Sequence, residues 1–388
     1  MAVLLLFGMV LLGSTSPTPS PPLPDIRVNF VLNSPDLPGD TTVFITGSVE
    51  QLGSWNPGRV KMDSLGGHRW QKEIRVENPG LIEYKYTLGS WDREGAGPTG
   101  APLQNLSVQV KGDTTTDDLI LLWTKAGQKP TFHGQITGTV EYHRAMKGEG
   151  LRDRDVVVWL PPDYKQSSKR RYPVLYMQDG QNAFDPATSA FGVDWQADET
   201  VDGLIRAHQI PPLIIVGIYN TRDRTPEYSP GEKGTAYMNF VVNKLKRFID
   251  STYRTKPDRR NTFVCGSSMG GLISFMLAWE HSDVFSGAIC MSPAFLDPSA
   301  AHPQWNYVSD FLNSSTKKPP IFFYIDIGGI GVDQILGPGV DKMIAALKTK
   351  GFREGKDFVF FKDPAAHHSE ADWAKRLPNA FKLVLMGR

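Results

Sequence analysis

Two rhythms of apolar and polar residues divide the chain. From about Asp25 to Lys125, apolar and polar residues alternate in short runs at 26–32, 42–47, 70–76, 81–87, 106–110 and 119–123. Turn formers such as Pro38-Gly39-Asp40 and Asn78-Pro79-Gly80 separate them. A period of two marks strands with one buried face, and many short strands between such turns predict a β-sandwich. From about Lys129 the rhythm changes. Residues 137–142 and 154–160 read as a hairpin-like pair. Largely apolar runs then appear at 174–177, 213–218, 287–291, 321–327 and 358–361. Helical patterns at 198–207, 236–253 and 342–349, and from Glu370 onward, lie between or after them. The long helix at 236–253 places Phe240, Val241, Leu245, Phe248 and Ile249 on one face. Strands apolar on both faces, alternating with helices, predict an α/β unit with a mainly parallel sheet. The expected division is 25–125 for the all-β sandwich and 126–388 for the α/β unit. No internal repeat is visible.

The first residues add a leader. Residues 2–12 form an apolar run followed by Gly13-Ser14-Thr15-Ser16, too short to span a bilayer. This reads as a signal peptide, although no Lys or Arg precedes the run. The Ser/Thr/Pro-rich residues 14–24 read as an extended linker. The expectation is a secreted or periplasmic protein.

Composition narrows the chemistry. The 388 residues are 40% apolar and 21% charged, enough to build true cores. A net charge of +1 gives no reason to expect nucleic acid or an anionic membrane as partner. The only cysteines, Cys265 and Cys290, lie in apolar strand-like runs. They read as buried free thiols, since two cysteines make neither a disulfide framework nor a zinc site.

Chemistry concentrates at Gly266-Ser267-Ser268-Met269-Gly270-Gly271, between an apolar strand at 261–265 and an apolar helix at 272–278. Strand, tight glycine-flanked turn and helix form the setting of a nucleophile elbow. Ser268 is the candidate nucleophile. Gly266 and Gly270 leave room for the helix to pass behind the strained serine.

A hydroxyl needs a base at neutral pH. His367-His368 follows the last strand, in a loop at a strand's carboxyl end, and His368 is favoured. The α/β-hydrolase chain order, serine then acid then histidine, puts the acid after the strand at 321–327. Asp326 ends that strand and Asp333 sits in what reads as its following loop. Asp333 is preferred for its reach, with Asp326 open as the alternative or as a brace. Oxyanion donors are expected from the amides of Met269 and of Gln181, in Asp179-Gly180-Gln181-Asn182.

These motifs resemble the Putative esterase family, which includes enterochelin-esterase-like, feruloyl and acetylxylan esterases. The matching stretches are Tyr172-Pro173-Val174-Leu175-Tyr176-Met177, Asp179 to Asn182, Gly217-Ile218-Tyr219-Asn220, Glu227-Tyr228-Ser229-Pro230, Gly266 to Gly271, Ser292-Pro293 and His368-Ser369-Glu370 with Trp373. The resemblance implies an α/β-hydrolase fold and Ser268 and His368 as nucleophile and base. It also implies that Glu227 and Tyr228 line the substrate cleft, with Trp195, Arg224 and Trp305 as further lining candidates. At the acid loop, Gly328-Gly329-Ile330-Gly331-Val332-Asp333 stands where the family often has a shorter loop ending in Glu.

The sandwich resembles a starch-binding type of carbohydrate-binding module at Gly47 to Pro57, Trp70, Ile82-Glu83-Tyr84-Lys85-Tyr86 and Gly89-Ser90-Trp91. The resemblance implies a glycan site made by Trp55, Lys85 and Trp91, where flat indoles stack on sugar rings. A docking domain with Trp55 in its core is the other open reading. The expectation is a secreted serine esterase acting on feruloyl or acetyl esters of plant polysaccharide through Ser268, His368 and Asp333. No metal or organic cofactor is implied. A siderophore ester hydrolase and a non-catalytic glycan-binding protein are the alternatives.

Overall fold

A computed structural model describes residues 26–35, 37–96, 102–103, 105–124, 135–189, 192–295, 307–314 and 318–386. The expected leader and linker, and Trp305, lie outside these residues.

The first unit carries strands β1 (Ile26–Asn33), β2 (Phe44–Gly47), β3 (Val60–Lys61), β4 (Asp63–Gly66), β5 (Arg69–Val76), β6 (Gly80–Thr87), β7 (Gly95–Ala96), β8 (Leu106–Val110), β9 (Thr114–Leu119) and β10 (Leu122–Trp123). Two four-stranded sheets, β4-β5-β1-β9 and β3-β2-β6-β8, face one another, and β7 pairs with β10. Their inner faces bury one cluster that includes Val28, Phe30, Ile45, Trp70, Tyr84 and Val110. The strand β9 departs from the alternation reading. Its sequence, Thr-Thr-Thr-Asp-Asp-Leu, carries one apolar residue and buries none fully. It is held at the sheet edge by parallel pairing with β1.

The second unit carries β11 (Thr139–Met146), β12 (Arg154–Leu160), β13 (Val174–Gln178), helix α1 (Ala197–Arg206), β14 (Ile214–Ile218), α2 (Arg224–Glu227), α3 (Glu232–Asn239) and α4 (Lys246–Thr252). It continues with β15 (Thr262–Ser267), α5 (Met269–Glu280), β16 (Gly287–Met291), α6 (Tyr307–Asn313), β17 (Phe322–Ile330), α7 (Val332–Thr349), β18 (Phe358–His367) and α8 (Glu370–Met386). One eight-stranded sheet runs β11-β12-β14-β13-β15-β16-β17-β18. Only the first two pairings are antiparallel; from β14 onward all are parallel. Separate apolar clusters cover its two faces, as strands buried on both sides require. This is an α/β-hydrolase fold preceded by an all-β sandwich.

Two details differ from the sequence reading. The expected helix at 236–253 is α3 and α4 joined through a π-helical stretch, Phe240–Leu245. The expected loop before Asp333 does not exist. Strand β17 runs through Gly328 and Gly329 to Ile330, Gly331 turns with φ 67°, and Asp333 lies in the first turn of α7. The glycines allow this, because β18 crosses so near that a Cβ on Gly329 would lie 2.4 Å from the Pro364 carbonyl oxygen. Among the described residues no helix is long and apolar enough to cross a membrane. Both cysteines are free and buried on the adjacent strands β15 and β16.

Candidate active site

Strand β13 lies between β14 and β15, so the chain order reverses there, and ligands of open α/β sheets bind at such switch points. At its carboxyl edge opens a cleft of about 460 Å³. The second unit contributes Asp179, Gln181, Arg224, Ser268, His368, Glu370 and Trp373 to its wall. The sandwich contributes Glu83, Asn105 and Ser107, from β6 and the start of β8.

Ser268 sits between β15 and α5 with φ 55° and ψ −125°, a conformation costly for any residue with a Cβ. Its amide bonds to the Met291 carbonyl at 2.9 Å, and its carbonyl accepts from Leu272 and Ala294. These bonds and the close packing of two glycines enforce the strain. A Cβ on Gly266 would lie 2.3 Å from the Gly270 carbonyl oxygen, and one on Gly270 would lie 2.9 Å from Asp179 Oδ2. Met269 opens α5, so its amide is among those at a helix start that have no carbonyl within the helix.

His368 leaves the end of β18 toward the same cleft. Its Nδ1 lies 2.7 Å from Asp333 Oδ1, and its ring meets the Trp373 ring edge-on at 4.8 Å. Asp333 is buried and its other oxygen accepts from the Gly328 amide at 2.8 Å and from Ser292 Oγ at 2.9 Å. Both candidate acids therefore have a place. Asp333 meets the histidine. Asp326 lies behind it, paired with Arg376 at 3.0 Å and accepting from the Ser292 amide. Burial pushes the Asp326 carboxyl up to about 6 despite Arg376.

Ser292 was missed as a site residue. It has φ 41°, and its hydroxyl also accepts from Trp373 Nε1 at 3.2 Å and Arg376 Nη2 at 3.0 Å. It thus ties Asp333 to two residues of α8. Only its place after β16, in Ser292-Pro293, marked it in the sequence.

The loop with Gln181 is braced separately. Asp179 has φ 55°, and a Cβ on Gly180 would lie 2.2 Å from the Gly217 backbone. Arg224 grips Asp179 with two bonds of 2.7 Å, and Asn220 Nδ2 adds a third at 2.6 Å. The Gln181 side chain accepts from the Asn220 amide. Glu370, at the start of α8, receives a bond from Asn182 Nδ2, and burial pushes its carboxyl up to about 7. On the sandwich side, burial raises Glu83, which lies within electrostatic reach of His368 and is hydrogen-bonded to Asn105.

Three expected cleft residues lie elsewhere. Glu227 is fully buried and bonded to Arg154 at 2.8 Å, outside the cleft wall. Tyr228 is fully buried below the Asp179 loop, its hydroxyl accepting from the Asp179 amide. Trp195 is buried behind Trp373, at a ring distance of 5.5 Å. Arg224 does line the cleft. In the proposed glycan site, Lys85 is buried and its ammonium meets Glu94 at 2.5 Å, so it is not presented to a ligand as expected. Trp91 is exposed, 6.0 Å from that ammonium, and Trp55 is half-buried.

The family model described as Putative esterase matches residues 150–383, and one for the starch-binding domain matches residues 25–115. The chain belongs to the Putative esterase family. It is 28% identical over 209 residues to an endo-1,4-beta-xylanase/feruloyl esterase of Xylanibacter ruminicola, covering 50% of this chain and 25% of that one. It is also 28% identical over 159 residues to the uncharacterized protein YjcH of Bacillus subtilis, covering 40% and 62%. The chain thus spans less than two thirds of the length of these curated relatives. An enterobactin esterase structure from Shigella flexneri shares the fold, with a TM-score of 0.55 and 13% identity over 92% of this chain and 93% of that one.

Proposed function

We propose that the protein is a secreted serine esterase that hydrolyses acetyl or feruloyl esters carried by a carbohydrate. The observation that carries this reading is the buried Asp333 bonded to His368 at 2.7 Å, with His368 and the strained Ser268 on one cleft.

In this reading Ser268 Oγ attacks the ester carbonyl while His368 Nε2 takes its proton. Asp333 holds Nδ1–H and stabilises the imidazolium. The Met269 and Gln181 amides stabilise the oxyanion. Collapse expels the alcohol, which takes the proton from His368. Water, deprotonated by the same nitrogen, then releases the acid and restores the serine.

The cleft walls support this substrate class. Arg224, the guanidinium of the cleft wall, is committed to Asp179, and the carboxyl groups of Glu83 and Glu370 stand in the same wall. A polyanionic catecholate would need a cation that this paired guanidinium does not supply, whereas a neutral, hydroxyl-rich alcohol needs none. The match of residues 25–115 to a starch-binding domain, and the exposed Trp91, support a carbohydrate partner. Hydrolysis of acetylated xylan, methyl ferulate, acetylated starch and a catecholate trilactone by wild type and Ser268→Ala tests the proposal. Serine-dependent turnover of a carbohydrate ester supports it. Turnover of the trilactone alone would overturn the substrate class, and no serine-dependent turnover would overturn the mechanism.

A further inference from the structure

Away from the cleft, three carboxylates converge before and in the first turn of α1. Ligand oxygens of Asp194, Asp198 and Glu199 all lie within 4.8 Å of one another. Asp194 and Asp198 are buried and Glu199 is half-buried.

A helix start favours an acid, and this accounts for part of the cluster. It does not account for the rest. Asp198 Oδ2 accepts from the Thr137 amide at 2.6 Å, and Asp194 Oδ2 from the Gln196 amide at 3.0 Å. Yet, among the described residues, no N–H or O–H donor reaches Asp198 Oδ1 or Glu199 Oε2, both shut off from solvent, and the two carboxyl groups are near enough to hydrogen-bond one another only if one holds a proton. Asp198 as a residue has no exposed surface at all. The charged neighbours acting on Asp194 and Asp198 are Glu199 and Asp185, which are also acidic. Buried carboxylate oxygens facing one another require a proton or a cation between them.

We propose that Asp194, Asp198 and Glu199 bind one calcium ion. Calcium takes oxygen ligands at about 2.3–2.6 Å, so two oxygens on one ion lie at most about 5 Å apart, as this cluster allows. Three carboxylates offer an all-oxygen set with more negative charge than the ion needs. The ion would be structural. The Trp195 amide bonds to the Asn182 carbonyl at 2.8 Å, and the Ala197 amide to the Ala183 carbonyl at 3.1 Å. The segment that binds calcium therefore also holds the turn carrying Gln181. Thr137, bonded to Asp198, accepts in turn from Trp159 Nε1 at 2.7 Å, which fixes the entry to β11.

The test is calorimetric titration of the chelator-treated full-length protein with calcium chloride and, separately, magnesium chloride, with melting curves at each ion concentration. The expected result is one calcium per chain, a Tm that rises with calcium, and weaker or absent magnesium binding. Asp198→Asn and Glu199→Gln should each weaken calcium binding by roughly tenfold or more. Folded chelator-treated protein that binds no calcium, with a Tm indifferent to it, would overturn the proposal and leave a shared proton as the occupant. Unchanged calcium affinity in Glu199→Gln, the milder variant, would also overturn it. The serine-dependent activity is read separately, so failure of this site leaves the esterase reading intact.

Discussion

Ser292 Oγ stands 2.9 Å from Asp333 Oδ2, while the other oxygen of that carboxylate meets His368 Nδ1 at 2.7 Å. One serine hydroxyl, at a residue with positive φ after β16, thereby fixes the carboxylate that meets the His368 ring. Its three partners lie 41, 81 and 84 residues away in the chain.

Asp333→Asn should keep the fold and lower kcat by about 10³–10⁴-fold, because an amide favours the wrong imidazole tautomer. Asp326→Asn should lower kcat far less and reduce stability more, since it weakens the buried pair with Arg376. Kinetics and urea unfolding of both variants separate the roles. Comparable kcat losses would reopen the choice of acid.

Ser292→Ala removes the shared partner of Asp333, Trp373 and Arg376. Leaving buried polar groups unsatisfied should cost about 1–3 kcal/mol. Because Asp333 keeps the Gly328 amide, kcat should fall by only about tenfold, roughly 1.4 kcal/mol of barrier. Urea midpoints and kcat on p-nitrophenyl acetate check both parts.

Arg224→Ala strips the two-bond grip from Asp179, which is 5% exposed. The loop carrying Gln181 should loosen, and kcat should fall more than KM rises, because an oxyanion donor acts in the transition state. Arg224→Lys should recover little, since an ammonium cannot make the paired contact. A pure KM effect would place Arg224 in substrate binding alone.

Glu370 titrates near 7 in the folded state, raised by burial from 4.5. Between these values the folded chain holds a proton that the unfolded chain has lost, so this group's stabilisation is present at low pH and fades as pH rises through 7. The full effect is on the order of 3 kcal/mol. Urea unfolding of wild type and Glu370→Gln at pH 5 and pH 8 isolates it. The variant should gain stability relative to wild type at pH 8, and a pH-independent difference would count against the raised value.

The elbow was legible because its cause is local: two glycines and a serine within five residues, between an apolar strand and an apolar helix. The place of His368, after the last strand and on the cleft, was legible from chain order. The sandwich and the sheet were legible from period and apolar runs, except β9, whose polar residues carry no such signal. Glu227, Tyr228 and Trp195 were misread because burial is tertiary. A glutamate in a proline-rich loop reads as exposed until Arg154, 73 residues earlier, closes on it. Ser292 and the Asp194–Asp198–Glu199 cluster depend on partners that no spacing announces.

The central claim is that Ser268 is a nucleophile activated by His368. Treatment with a fluorophosphonate, followed by intact-mass and peptide analysis, tests it most directly. The account predicts one adduct per chain, on Ser268, formed in step with loss of esterase activity and strongly slowed in His368→Ala. An unlabelled Ser268 in active wild-type enzyme, or equal labelling rates with and without His368, would contradict it.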